Sequence, residues 1–291
     1  MNLSEMKDGI YYDIPDNDYQ ADKTRVRSSQ LKTLHETSDY NLLMDKDFAG
    51  KGLGLAWHSY LEVFNKNKIM NIQKLTGVKG YDTKKNIPVI EANPDKFCLN
   101  NEDICKLDDM IDTLNNRQDS ETIRVRGLVN DPDAKKEVTV LFTIGDVKCK
   151  CRIDLMIIKD GVYHIWDHKT TYRESIDDFK KDFKYKFYWL QMFFYAIGLS
   201  TALGIDLSRI QIGILAYQTV KPNIIYEYPV NYEGINDVEM LIHLLVHRID
   251  YAIRTGKMNG FLPKFGKKQV LGLSTWEINE IKYKCKMITG E

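Results

Sequence analysis

The run Arg152-Ile-Asp-Leu-Met-Ile-Ile-Lys-Asp-Gly-Val-Tyr-His-Ile-Trp-Asp-His-Lys-Thr-Thr171 constrains this chain most. Asp160-Gly161 lies between two stretches rich in Val, Ile, Tyr and Trp, which predicts a two-residue turn between antiparallel strands. Lys159 then faces Val162, and counting outward sets Asp154 opposite Asp167. Residues directly opposed share one face with Cβ atoms about 5 Å apart. Side chains alternate, so Lys169 joins that face. Like charges so placed destabilise a sheet unless a cation lies between them. A solvated hairpin with incidental charges is the plain alternative, but the neighbours are too apolar for a solvent ribbon.

Gly145-Asp146 marks an earlier turn, with Ile144 facing Val147. The same counting places Glu137 opposite Asp154, so Glu137, Asp154 and Asp167 would form a row across three strands. Glu137 reads equally as an exposed strand-end carboxylate. Ile153, Leu155, Ile157, His164 and Trp166 should occupy the opposite face. Met156, Ile158, Tyr163 and Ile165 extend the carboxylate face. Both faces are largely apolar, as in central strands covered by helices. Unpaired carboxylates are costly there. A divalent cation resolves the conflict, because Mg²⁺ takes oxygen ligands from carboxylates and phosphates. Such an ion can polarise a phosphodiester and activate water. Lys169 would hold the attacking water or neutralise phosphate charge, and an ion pair with Asp167 is compatible with either role.

The 291 residues can bury a substantial core. Lys plus Arg and Asp plus Glu each number 41, so no global basic field advertises nucleic acid, and any such binding must use local patches. No apolar run suits a membrane span, and the N-terminus lacks the apolar stretch of a secretion signal, which places the protein in a cytosol. Cys98, Cys105, Cys149, Cys151 and Cys285 form no CxxC pair, so reduced thiols are expected.

Residues 1–26 read as an extended or weakly ordered arm, and 27–291 as one domain with a core over about 50–220. A helix starts at Ser28-Ser29 and another runs over about 55–65. The lysine-rich stretch 66–96 reads as loops within a helical and loop insertion over about 66–136. Ile104, Leu107, Ile111 and Leu114 predict a helix over about 102–115. Strands are expected at 137–144, 147–158, 162–170, 210–218 and 224–230. Helical spacing covers 183–203 and 235–254, the latter ended by Gly256. A basic loop at 264–268 and a last helix from about Thr275 complete the chain.

An Asp followed at hairpin distance by Asp167-His168-Lys169 resembles the PD-(D/E)XK nuclease motif, although Ile153 replaces its proline. Gly54-Leu-Ala-Trp-His58 resembles the GxxxH segment of the RecB-like and RecE-like branches. Gln191-Met-Phe-Phe-Tyr195 is similar to their QxxxY element. The order of these elements also fits. The resemblance implies an α/β fold with a restriction-endonuclease-like core, a central mixed β-sheet flanked by helices. It implies metal ligation by Asp154, Asp167 and His58, with Glu137 as a further ligand and His168 not one. Lys169, Gln191 and Tyr195 would complete the catalytic set. Mg²⁺ or Mn²⁺ is the implied cofactor, and four suitably placed cysteines for an iron–sulfur cluster are lacking. Ser28-Ser29-Gln-Leu-Lys-Thr-Leu34 and Glu137 are similar to features of RecE-type phage exonucleases. That branch implies 5′-to-3′ digestion of double-stranded DNA, recombination with a single-strand annealing protein, and in some members a homo-oligomer. An endonuclease, a RecB-like single-strand nuclease and a non-catalytic DNA-end-binding protein are the alternatives. DNA contacts are expected from Arg152, opposite Lys169, and from Lys180, Lys181, Lys184 and Lys186, a run that reads equally as a solvated face.

Overall fold

Two tight turns organise the sheet. Asp160 and Gly161 both adopt positive φ (51° and 73°), the geometry that matches the twist of paired strands. The register is the expected one, with Lys159 facing Val162 and Ile144 facing Val147. The computed structural model describes residues 2–36 and 52–257, together with Asn279. The basic loop at 264–268, the last helix and Cys285 lie outside these residues.

In chain order the elements are β1 (Gly9–Tyr11), α1 (Asp16–Ala21), β2 (Val26–Arg27), α2 (Ser28–Glu36), α3 (Leu53–Val63), β3 (Ile69–Asn71), α4 (Ile72–Thr76), α5 (Asn86–Glu91), β4 (Phe97–Leu99), α6 (Asn101–Asn116) and α7 (Ser120–Val129). They continue with β5 (Lys135–Ile144), β6 (Val147–Lys159), β7 (Val162–Thr171), α8 (Ile176–Tyr185), α9 (Tyr188–Leu203), β8 (Ile210–Gln218), β9 (Ile225–Val230) and α10 (Ile235–Thr255). The central sheet runs β1-β5-β6-β7-β8-β9, with β2 added to β6. Strands β7 and β8 are parallel, as are β2 and β6, and the other pairs are antiparallel, so the sheet is mixed.

One face packs on α2, α9 and α10. In α9 every residue from Tyr188 to Leu199 is buried, as expected of a helix apolar all round and enclosed on several sides. Gly198 lets it sit close to β5: a Cβ there would lie 2.6 Å from the Phe142 ring. Gly198→Ala is therefore expected to destabilise by about 1–3 kcal/mol through overpacking, despite alanine's better helix propensity. Denaturant midpoints would check this, and a gain in stability would contradict it.

The other face is covered by α3, α6 and α7, which bring Trp57, Leu107, Met110, Leu114 and Val125 onto Leu155, Ile157 and Tyr217. The 66–136 section thus joins α3 in covering one side of the sheet. Part of it expected to be loop carries α4, α5 and the small parallel sheet of β3 and β4. Helix α7 was not anticipated from the sequence. The helical stretch 183–203 is two helices broken at Phe187, whose φ is +52°. Gly54 lies inside α3 rather than before it, and its bare Cα faces Thr170.

Residues 1–26 are not a loose arm. β1 pairs with β5, and Leu3, Ile14 and Tyr19 are buried against Leu141. Two buried cations tie this segment down. Arg25 donates to the carbonyls of Met6 (2.7 Å) and Leu3 (3.3 Å). Lys150 donates to those of Tyr19 (2.5 Å) and Asp22 (2.6 Å) and lies 3.3 Å from the Asp22 carboxylate. The sheet therefore extends beyond 50–220, through β1, β2 and β9. Among the described residues no helix is long and apolar enough to cross a membrane.

Candidate active site

The site forms where two neighbouring strands part. The β6–β7 ladder ends at Leu155↔Trp166, while β7 stays paired with β8 as far as Thr171↔Gln218. The next position on β6 is Asp154, and its side chain replaces the lost ladder bond. The backbone N–H of His168 donates to Asp154 Oδ2 at 2.7 Å. Asp154 and Asp167 thus meet at the fork.

On the other side of β6, Val138↔Ile153 and Lys136↔Leu155 bracket Glu137 and Asp154, so the counted register holds. The expected faces do not all hold. Ile153 packs in the α9 core, whereas Leu155 and Ile157 pack in the opposite one. Likewise Val138 enters the α9 core while Lys136 reaches the Leu61 carbonyl of α3 at 2.7 Å. Strict alternation cannot produce this, so both strands change phase at Glu137 and Asp154. Glu137 absorbs the change with φ +51°. Such a conformation costs about 1–3 kcal/mol and concentrates at functional sites.

The shift brings together a ligand set. Among the described residues, donor atoms of His58, Glu137 and Asp154 lie within 4.8 Å of one another. His58 Nε2 is 2.8 Å from the His168 carbonyl. A carbonyl only accepts, so Nε2 carries a proton, and Nδ1 faces Asp154 Oδ2, 3.5 Å away. Donation of the second ring N–H to a carbonyl is the usual support of a metal-binding histidine. The carboxylates point the same way. Burial and the charge of Asp154 push Glu137 up to about 8. Burial and the charge of Asp167 raise Asp154. Oxygen donors that repel each other in a nearly dry site suit a hard divalent cation.

These shifts fix a pH dependence. A carboxyl raised on folding stabilises the fold while it holds its proton. For Glu137 that contribution is full below about 4.5 and lost as pH rises through about 8. In EDTA, Tm is expected to fall by several degrees between pH 5 and 8. Mg²⁺ or Mn²⁺ should cancel most of the fall. A Tm indifferent to the cation throughout would contradict the assignment.

Asp167 stands beside the His58–Glu137–Asp154 group rather than within it. Its Oδ1 accepts from Gln191 Nε2 at 2.8 Å, and its Oδ2 is ion-paired with Lys169. Gln191 Nε2 also donates to Tyr195 Oη at 2.6 Å, as the i, i+4 spacing on α9 allows. The Lys169 ammonium lies 5.1 Å from the Tyr188 ring. His168 is buried with Nδ1 3.0 Å from Tyr217 Oη, and burial holds its pKa well below the usual histidine range.

Arg152 has a different setting from the expected one. The ladder stops before it can face Lys169, and α1 folds back over it. Its guanidinium pairs with Asp16 at 3.0 Å, donates to the Ile14 carbonyl at 3.1 Å and lies over the Tyr19 ring. Lys180, Lys181 and Lys186 on and after α8 pair with Asp177, Asp178 and Asp182 at 2.7–2.9 Å, and Lys184 lies 5.6 Å from the Tyr185 ring. For Lys180 and Lys181 that is the solvated-face arrangement, whereas the Asp182 carboxylate that Lys186 meets is buried and shared with Arg173. The two exposed pairs contribute about 0–1 kcal/mol, so a phosphate can displace them. Lys32, overlooked in the sequence, reaches this site from α2, with Nζ 3.0 Å from Gln191 Oε1.

A family model described as "PDDEXK-like domain of unknown function (DUF3799)" matches residues 45–250. The chain belongs to this PDDEXK-like family. Its mixed sheet with helices on both faces is the restriction-endonuclease-like core. A solved structure titled "Putative exonuclease", from Eubacterium rectale, aligns over 92% of this chain and 98% of its own, at 14% identity and a TM-score of 0.55. That likeness concerns the fold. A second structure, SSO0001, covers 65% of this chain and 82% of its own at 16% identity, and its TM-score of 0.27 bears no argument. No curated protein matches the chain.

Proposed function

We propose that the chain is a divalent-cation-dependent nuclease that hydrolyses phosphodiester bonds at the ends of linear double-stranded DNA, 5′ to 3′. The observation that carries this reading is the grouping of His58, Glu137 and Asp154 within 4.8 Å, beside the Asp167–Lys169 pair. A Mg²⁺ or Mn²⁺ ion held by that group, with Asp167 alongside, would polarise the phosphodiester and stabilise the leaving oxygen.

The protein's own groups do the rest. Lys169 presents an ammonium that holds the attacking water or neutralises charge on phosphorus. Asp167 keeps that ammonium in place. Gln191 and Tyr195 orient Asp167 from α9. Tyr188, under Lys169, limits its swing. Lysines of α8 stand ready to exchange their carboxylate partners for backbone phosphates. The likeness to RecE-type enzymes supports the duplex-end substrate, a role in phage-type recombination and an annealing protein as partner.

The test is digestion of labelled linear duplex in Mg²⁺, with each 5′ or 3′ end protected in turn and closed circular duplex and single strands as comparators. Loss of label from unprotected 5′ ends of linear duplex alone is the expected result. Cleavage of circles would instead mark an endonuclease. Preference for single strands would mark a RecB-like activity. DNA binding without cleavage would mark an end-binding protein.

A further inference from the structure

A carboxamide's oxygen and nitrogen are alike in size, so packing alone does not choose between its two orientations. Gln191 stands at such a choice, with three polar partners. Nε2 faces Asp167 Oδ1 at 2.8 Å and Tyr195 Oη at 2.6 Å, and Oε1 faces Lys32 Nζ at 3.0 Å. An ammonium only donates and a carboxylate only accepts. One orientation satisfies both, and the reverse sets N–H against ammonium and carbonyl against carboxylate. Asp167 alone favours the same orientation, but its charge partners change when a substrate phosphate or a cation arrives. Lys32 holds the far side of the amide whatever Asp167 does.

The location of Lys32 argues that its charge is there for a purpose. Helix α2 docks through Leu31 and Leu34, both fully buried, and carries Lys32 inward with them. Its ammonium faces Asp167 and Asp154 but also the like charge of Lys169, and burial together with that neighbour lowers its pKa to about 8. A methionine would fill the same space without desolvating a charge.

We propose that Lys32 is a positioning residue that pins the Gln191 amide so that its NH₂ group remains on Asp167 and Tyr195, aiming the Asp167 carboxylate toward the reacting centre. Its effect on turnover rests on the nuclease reading, whereas the pinning does not.

The side-chain NH₂ signals of Gln191, assigned by their loss in Gln191→Leu, test it directly by NMR. In the wild-type protein both protons should exchange slowly with solvent, and rapid exchange like that of a surface glutamine would overturn the proposal without any Lys32 variant. Lys32→Met should shift these signals and speed their exchange, and Lys32→Arg should restore them. Unchanged signals in Lys32→Met would overturn it. In the cleavage assay, Lys32→Met should lower kcat by about 10- to 100-fold with KM within twofold. Lys32→Met/Gln191→Leu should be no slower than Gln191→Leu alone, because one residue acts through the other. Additive losses would refute that route. Intact NMR effects in a chain that cleaves no DNA would sink the nuclease reading and leave the pinning standing.

Discussion

Asp154→Asn is expected to lower DNA cleavage by at least about a thousandfold while making the cation-free protein more stable. The two effects share one cause. Asp154 is buried beside Asp167 and Glu137, and its pKa is raised by that burial and by the charge of Asp167. Asparagine is nearly isosteric and still accepts the His168 N–H through its oxygen. It removes one charge from a crowded, poorly solvated group, which should raise Tm by a few degrees in EDTA at pH 8. It also takes away the negative charge, and one of the two carboxylate oxygens, that Asp154 would offer a cation beside His58 and Glu137. Single-turnover cleavage and thermal melting of the same sample check both halves. Wild-type turnover would remove Asp154 from the mechanism. A lowered Tm would show that the charge is compensated in a way the geometry does not reveal. Asp167→Ala should likewise abolish cleavage in Mg²⁺ with the fold intact.

The second large effect concerns stability alone. Lys150→Met should cost about 3–5 kcal/mol, because it takes the nearest countercharge from the buried Asp22 carboxylate, leaving Arg25 at 3.9 Å, and the donor from two backbone carbonyls. For a domain of this size that corresponds to a drop of roughly 10 °C in Tm. Adding Asp22→Asn should recover part of the loss, since the undercompensated charge goes with it. A double variant less stable than the single one would show that the ion pair is not what holds the segment.

The parts of the fold read correctly from sequence are those governed by near neighbours. Asp160-Gly161 and Gly145-Asp146 specify their turns through backbone conformations that few residues accept, and the registers of β5, β6 and β7 follow by counting. Leu107 and Leu114 reveal α6 through spacing alone. His58, Gln191 and Tyr195 were recognisable as motif positions, and the structure sets them around the fork. What escaped depends on distant partners. Nothing in residues 1–26 announces that Tyr19 and Asp22 will be held by Lys150. The break at Phe187 needs a positive φ at a bulky residue, which no local rule foretells. The phase change at Glu137 and Asp154 is a property of two strands together, so alternation along either one misplaced Ile153. Lys32 lay inside a noted segment, but its inward course follows from how α2 docks on α9.

The strand at Gly9–Tyr11 meets its partner at Thr139–Leu141, about 130 residues later. During synthesis at about 5–20 residues per second, that partner emerges from the ribosome roughly 7–26 s after the first strand. Until then the opening segment has no sheet to join. Its closure is a late, long-range event of the kind that slows folding. The residues around Gly9–Tyr11 are thus late to find their place in the sheet.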